Sequence, residues 1–119
     1  MAADGFELQA QLFRALSHPV RLQILNVLAR TEACVCHLNA ALNRPQPYVS
    51  QQLATLREAG LVSDRREGTL IYYRLADGRI AGWLERGREL VKNGDGNPIP
   101  FPPAPPEVVP HCPCPHCQR

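Results

Sequence analysis

The sequence predicts a mainly α-helical fold that carries one β-hairpin, the winged helix-turn-helix. Two observations predict this class: two short helical segments meet at a turn with two prolines, and two segments of strand character follow around a glycine. A chain of 119 residues is long enough for one such domain. We expect the domain to span residues 1–92 and a flexible tail to span residues 93–119, because nine of the 12 prolines lie in that tail.

The first two helices are predicted from capping residues and from apolar side chains at helical spacing. Asp4 is an acceptor at a helix start and Glu7 follows three residues later, as in a capping box. The apolar spacing carries this helix to about Leu16. The segment Ser17-His18-Pro19 then begins a second helix, because proline is tolerated in a first turn.

The helix-turn-helix itself is predicted by two apolar helical segments and the break between them. The third helix runs over Ala33–Leu42 and the fourth over Tyr48–Ala59. Pro45 and Pro47 separate them, because proline lacks an amide donor and clashes with the preceding turn. Gly60 ends the fourth helix in a left-handed conformation.

A wing and a last helix complete the predicted domain. Leu61–Arg66 and Thr69–Leu75 are predicted strands, and Glu67-Gly68 forms the turn between them. Asp77 caps a fifth helix, which continues to about Lys92. The wing therefore directly follows the second helix of the helix-turn-helix.

The start of the fourth helix and the wing carry candidate DNA contacts. The second helix of a helix-turn-helix enters the major groove with its N-terminal residues near base edges. Glutamine pairs with adenine, serine and tyrosine bond bases or phosphates, and arginine binds phosphate. The predicted DNA-binding residues are Gln46, Tyr48, Ser50, Gln51, Gln52, Arg65 and Arg66. A solvated helix face would also hold such residues, and the hairpin that follows favours DNA binding.

Five cysteines in two clusters form the second set of candidate functional residues. They are Cys34, Cys36, Cys112, Cys114 and Cys117. Thiolates select soft ions, and an odd number in two tight clusters indicates metal ligands rather than a disulfide framework. The alternatives are ordinary burial for the first pair, a scavenging tail for the second cluster, and reversible oxidation of either.

The spacing of the first pair raises a geometric difficulty. Residues two apart on an ideal helix point about 200° from each other, so Cys34 and Cys36 bind one ion only at a frayed end or through a distorted first turn. Two thiolates leave an ion that takes three ligands one short, and a thiolate of the tail can supply the third. Its about 18 residues before Cys112 reach on the order of 55 Å in polyproline geometry. It can close onto the third helix of its own chain or of a second copy of the chain, or it can hold an ion alone.

Charge and hydropathy exclude several classes of protein. The formal net charge is +2, which is compatible with DNA binding without requiring it. No segment approaches the about 18 apolar residues of a membrane span, and the N-terminus lacks a secretion signal. We therefore expect a cytoplasmic protein with reduced thiols and no membrane partner. The sequence shows no phosphate loop, carboxylate pair or nucleophile with a base, so we do not expect an enzyme.

Much of the chain, about residues 8–90, resembles the ArsR/SmtB family of bacterial metal-sensing repressors. The segments that carry the resemblance are Ala15–Leu25, Cys34–Cys36, Pro47–Val62 and Arg65–Leu75. The resemblance implies a winged-helix homodimer paired through its first and last helices. It also implies that the apo form holds double-stranded operator DNA and that metal releases it, with Cys34 and Cys36 as ligands.

The sequence departs from the family pattern at three places that concern the inducer. Asn39 stands where arsenic-sensing members often have a third cysteine, and His37 stands where Asp is common. The last helix has no histidine, so a zinc site there is not predicted. We expect As(III) or Sb(III) as inducer ahead of Cd(II), Pb(II) or Zn(II), and a three-coordinate site then needs a further thiolate, which the tail can supply. A redox-responsive repressor and a metal-sequestering protein are the alternatives.

Overall fold

The computed structural model describes residues 4–102 and Cys112, and this part of the chain forms a winged helix-turn-helix. The helices are α1 (Gly5–Leu16), α2 (Pro19–Leu28), α3 (Val35–Leu42), α4 (Gln46–Glu58) and α5 (Arg79–Leu90). The strands are β1 (Ala33–Cys34), β2 (Val62–Glu67) and β3 (Leu70–Leu75), in the sheet order β1-β3-β2. The predicted fold class is confirmed. No helix among the described residues has the length and apolar character to cross a membrane.

The first two helices begin at the residues that the capping pattern predicts. The Glu7 amide donates a 2.8 Å hydrogen bond to Asp4 Oδ1 at the start of α1. At the start of α2 the cap is His18, whose Nδ1 accepts from the Val20 amide at 3.2 Å. Each cap satisfies an amide that has no partner within the helix, which fixes where the helix starts.

The third helix begins two residues later than predicted, and this difference determines the geometry of the cysteine pair. Ala33 and Cys34 form a short strand that pairs antiparallel with β3, in the register Ala33 with Tyr73 and Cys34 with Tyr72. Cys34 has an extended backbone and is the N-cap of α3. The predicted hairpin therefore has a third strand, supplied by the segment that leads into the helix-turn-helix.

The fourth helix begins at Gln46 rather than Tyr48, because Pro47 lies in its first turn, where a missing amide donor costs nothing. Asn43 ends α3 with a left-handed φ of 52°, and Gly60 follows α4 with a φ of 79°. The left-handed conformation predicted at Gly60 is confirmed. The connection between α3 and α4 is thus short, and it sets the N-terminus of α4 at the surface.

The core lies among α2, α3, α4 and the root of the sheet. Ile24, Leu25, Leu38, Leu53 and Leu56 are fully buried within it. Burying a side chain of this size stabilises the fold by about 1.5–3 kcal/mol. The inner face of α4 is therefore anchored, while its opposite face stays in solvent.

Residues 91–102 follow α5 and include the first part of the predicted tail. A turn closed by a bridge between Lys92 and Pro98 reverses the chain. The Phe101 ring then lies 5.5 Å from the guanidinium carbon of Arg88, on α5. This part of the chain returns to the domain. The division into a domain and a flexible tail stays a prediction.

Candidate DNA interface and thiol centre

The N-terminal part of α4 exposes most of the polar side chains that the sequence predicts at DNA. Gln46 and Gln51 are exposed, and Tyr48 and Ser50 are half-buried. Val49, between them, is fully buried and holds this turn of the helix against the core. The outer face of α4 thus presents amide, phenol and hydroxyl groups, which suit base edges and phosphates.

Gln52 differs from the other predicted DNA-binding residues, because it lies on the inner side of α4. It is 7% exposed, and its Oε1 accepts a 2.8 Å hydrogen bond from Arg21 Nε. A buried amide must have a partner, and Arg21 supplies it. The interpretation of Gln52 as a base-reading residue does not fit this position. Its spacing from Val49 and Leu53 already placed it beside the buried stripe.

The two wing arginines have different surroundings. Arg65 binds Glu32 through Nε at 3.0 Å and Glu67 through Nη1 at 2.6 Å, and these hydrogen bonds raise its pKa. The same bond from Arg65 lowers the pKa of Glu32. Arg66 is exposed and makes no ion pair with the described residues. The wing therefore offers Arg66 to an outside anion, while the exposed Arg65 is already engaged by Glu32 and Glu67.

Sequence reasoning missed one exposed cation beside α4. Arg44 lies in the turn before the helix, and its guanidinium carbon is 5.8 Å from the centre of the Tyr48 ring. An arginine stacked on an aromatic ring has lost part of its conformational freedom and presents its donors in a fixed direction. The signal was available, since a basic residue directly before a recognition helix lies where the helix meets phosphates.

The cysteine pair lies at the N-terminus of α3, with one cysteine outside the helix and one in its first turn. Cys34 is the extended N-cap, and its Sγ accepts from the His37 amide at 3.4 Å. Cys36 is the second residue of α3. Because the helical geometry does not apply to Cys34, both sulfurs reach the same place, and the predicted difficulty disappears. A helix N-terminus also favours a negatively charged sulfur.

A cysteine of the tail joins this pair. The sulfurs of Cys34, Cys36 and Cys112 all lie within 4.8 Å of one another. Cys34 and Cys112 are each 1% exposed. The surrounding side chains are Ala40, Ala41, Leu70 and Tyr72. Cys114 and Cys117, predicted as ligands with them, lie outside the described residues.

Cys34 and Cys36 are joined by a disulfide in this structure. The sequence indicated ligand thiols rather than a disulfide framework. This bond joins residues two apart and connects no distant parts of the chain, so it is no framework. Reduction gives three thiols in one place. Thiolates are the ligands that soft ions prefer.

Comparisons with known proteins agree with the fold and with the order of its elements. The model of the arsR family of bacterial regulatory proteins matches residues 18–64. A transcriptional repressor SmtB homolog of Synechocystis is 44% identical over 95 residues, which cover 80% of this chain and 72% of the relative. The arsenical resistance operon repressor of Escherichia coli is 44% identical over 83 residues, 69% of this chain and 70% of the relative.

A solved structure is also similar. It is the homodimeric winged helix-turn-helix DNA-binding domain of a possible ArsR-family transcriptional regulator from Mycobacterium bovis. Its TM-score is 0.67 and its identity 32%, with 76% of this chain and 89% of that chain covered.

Fold and sequence together make the protein a DNA-binding transcriptional regulator of the winged-helix class, and not an enzyme. Within that class, the chain belongs to the arsR family of bacterial regulatory proteins, the ArsR/SmtB repressors. The predicted family is thereby confirmed.

Proposed function

We propose that this chain is a homodimeric repressor that a thiophilic ion releases from its operator. The ion binds Cys34, Cys36 and Cys112. As(III) or Sb(III) is the favoured inducer, and Cd(II), Pb(II) and Zn(II) come next. The single observation that carries the proposal is the meeting of three sulfurs from two distant segments within 4.8 Å of one another.

The surroundings of the sulfurs favour a soft ion that accepts three ligands. No carboxylate belongs to the cluster of described residues, and alanine, leucine and tyrosine side chains pack against it. Hard ions prefer oxygen ligands, whereas thiolates suit As(III) and the soft divalent metals. Cys112 supplies a third thiolate, which α3 lacks because it has Asn39 where arsenic-sensing members often have a cysteine.

The site lies where ion binding can affect the recognition helix. Cys34 belongs to β1 and Cys36 to α3, and α3 packs directly against α4. An ion that fixes both sulfurs fixes the position of the first turn of α3 relative to the sheet. DNA affinity falls if this position suits the DNA-bound arrangement less well, since only such a difference couples two sites.

Dimerisation is supported by a large apolar surface on α1 and α5. Phe6 is 85% exposed, Phe13 56%, Trp83 49% and Leu90 80%. A groove of about 960 Å³ runs between α1, α2 and α5. Exposed apolar area of this extent marks an interface. A second copy on this surface gives two recognition helices and doubles the phosphate contacts of a weakly basic protomer.

A binding experiment with the DNA upstream of the gene tests the proposal. The reduced protein should shift this DNA as a dimer, and micromolar arsenite, antimonite or Cd(II) should release it. The variant C34S/C36S should bind the DNA and lose the release. A parent protein whose operator affinity is unaffected by every thiophilic ion would contradict the proposal. Tight ion binding without a specific DNA complex would favour a sequestering protein.

The second candidate is a repressor that senses oxidation, and the disulfide between Cys34 and Cys36 favours it. Two thiols then lose two electrons and two protons to peroxide, which is reduced to two molecules of water, and a sulfur–sulfur bond forms. Release by peroxide, reversal by dithiothreitol and no thiolate-to-metal absorption during ion titration would identify this trigger instead.

A further inference from the structure

Three residues form a row across the sheet, one on each strand. In the pairing of β1 with β3, Cys34 is opposite Tyr72, and in the pairing of β3 with β2, Tyr72 is opposite Arg65. Residues directly opposite each other in antiparallel strands project from the same face. The row therefore connects a proposed ion ligand with the wing.

Side-chain contacts follow the same row. The Tyr72 side chain packs against the cluster of Cys34 and Cys112. The Arg65 guanidinium carbon lies 4.7 Å from the centre of the Tyr72 ring. Arg65 also donates to Glu32, which precedes β1 by one residue. The wing is thus connected to the thiol centre by the Tyr72 ring and to the residue before β1 by an ion pair.

We propose that Tyr72 is a positioning residue that transmits ion binding at Cys34 to Arg65 and so moves the wing. This inference rests on the proposed function and specifies how that site regulates DNA binding. An ion bound to Cys34, Cys36 and Cys112 replaces the bond between the first two sulfurs and changes the side of the cluster on which Tyr72 packs. Since Arg65 lies over the ring, its bonds to Glu32 must adjust as well.

The effect on DNA arises at the neighbouring arginine. Adjacent residues of a strand project from opposite faces, so Arg66 points away from the row while Arg65 lies in it. Any change in the attachment of Arg65 therefore changes the direction in which β2 presents Arg66. The wing and the recognition helix would both respond to one ion, by two separate routes from Cys34 and Cys36.

The test compares Y72L with the matched variant Y72F in the full chain. Phenylalanine keeps the ring that contacts the sulfurs and Arg65, whereas leucine removes it. Arsenite affinity is followed by thiolate absorption, and operator Kd is measured with and without arsenite. The ratio of operator Kd with arsenite to operator Kd without it is typically about 5- to 150-fold for allosteric coupling. We expect Y72L to lose most of this ratio and Y72F to retain it. Arsenite affinity should stay within about threefold of the parent in both variants, a change smaller than those ratios.

A Y72L protein with the parent's ratio of operator Kd values would overturn the inference. If Y72L does not fold, as a thermal melt would show, R65Q serves instead, because it removes the stacked guanidinium from the exposed side of the sheet. R65Q should also lose the ratio, and an unchanged ratio there would equally overturn the inference. A parent protein that arsenite does not release would contradict the proposed function itself, so the two failures are distinguishable.

Discussion

Arg21 connects the end of α1 to the inner face of the recognition helix through a hydrogen bond to Gln52. Its Nε donates to Gln52 Oε1 at 2.8 Å, and its Nη1 donates to the Ala15 carbonyl at 3.3 Å. One guanidinium thus satisfies a buried amide of α4 and a carbonyl at the C-terminal end of α1. These two hydrogen bonds connect α1, which carries part of the proposed dimer surface, to α4, the proposed recognition helix.

Replacing Gln52 or its neighbour Gln51 by alanine should therefore affect different properties, namely the stability of the fold for Gln52 and operator binding for Gln51. Q52A leaves Arg21 Nε without its partner and should lower the free energy of unfolding by about 1–3 kcal/mol, as for a buried hydrogen bond to a charged group. Q51A removes an exposed side chain and should change stability by less than about 0.5 kcal/mol, while it weakens operator binding. Urea denaturation and fluorescence anisotropy with operator DNA measure the two effects. Equal stability of both variants would contradict the assigned role of Gln52.

Cys112 should contribute to ion binding more than its neighbours in the tail. C112S removes one of the three sulfurs that meet in the structure and should weaken arsenite binding by at least about tenfold, the lower end of losses on altering metal sites. C117S is the matched control, since it makes the same change a few residues away. Titration of the thiolate absorption in the reduced protein measures both. A larger loss of arsenite affinity in C117S than in C112S would contradict the assignment of Cys112 as the third ligand.

The thiol centre shows which features the sequence predicted and which it did not. Helical spacing, caps and prolines predicted the five helices of the described residues, and strand-forming residues around a glycine predicted the wing, because those signals are local. The strand conformation of Cys34 depends on pairing with Tyr72, which lies far along the chain, and local patterns do not reveal such a partner. The approach of Cys112 is also a long-range contact, and the sequence predicted only that the tail could reach. The buried position of Gln52 depends on its place beside the apolar stripe and on its bond to the distant Arg21, whereas its polarity alone suggested the outer face.

Phosphate contacts by Arg44 and Arg66 should appear in the salt dependence of DNA binding. Each arginine that neutralises a phosphate contributes about 0.9 to the slope of log K against log salt. We expect R44A and R66A each to lower that slope by about this amount per contact and to weaken binding similarly for operator and unrelated DNA. R86A, on the exposed side of α5, makes the same change in charge and should leave the slope unchanged. If R66A had the same slope as the parent, Arg66 would make no phosphate contact in the complex.

Asp77 should make the stability of the fold depend on acid pH. Hydrogen bonds from the Arg79 side chain and amide lower the pKa of Asp77 to about 2. A carboxylate whose pKa is lower in the folded state stabilises the fold above its unfolded pKa, near 3.9. This contribution is lost as the pH falls through the folded value. We expect D77N to have a lower Tm than the parent at neutral pH and the difference to shrink between about pH 4 and pH 2. Thermal melts of both proteins across that range measure it, and a difference in Tm independent of pH would show that the carboxylate charge has no part in starting α5.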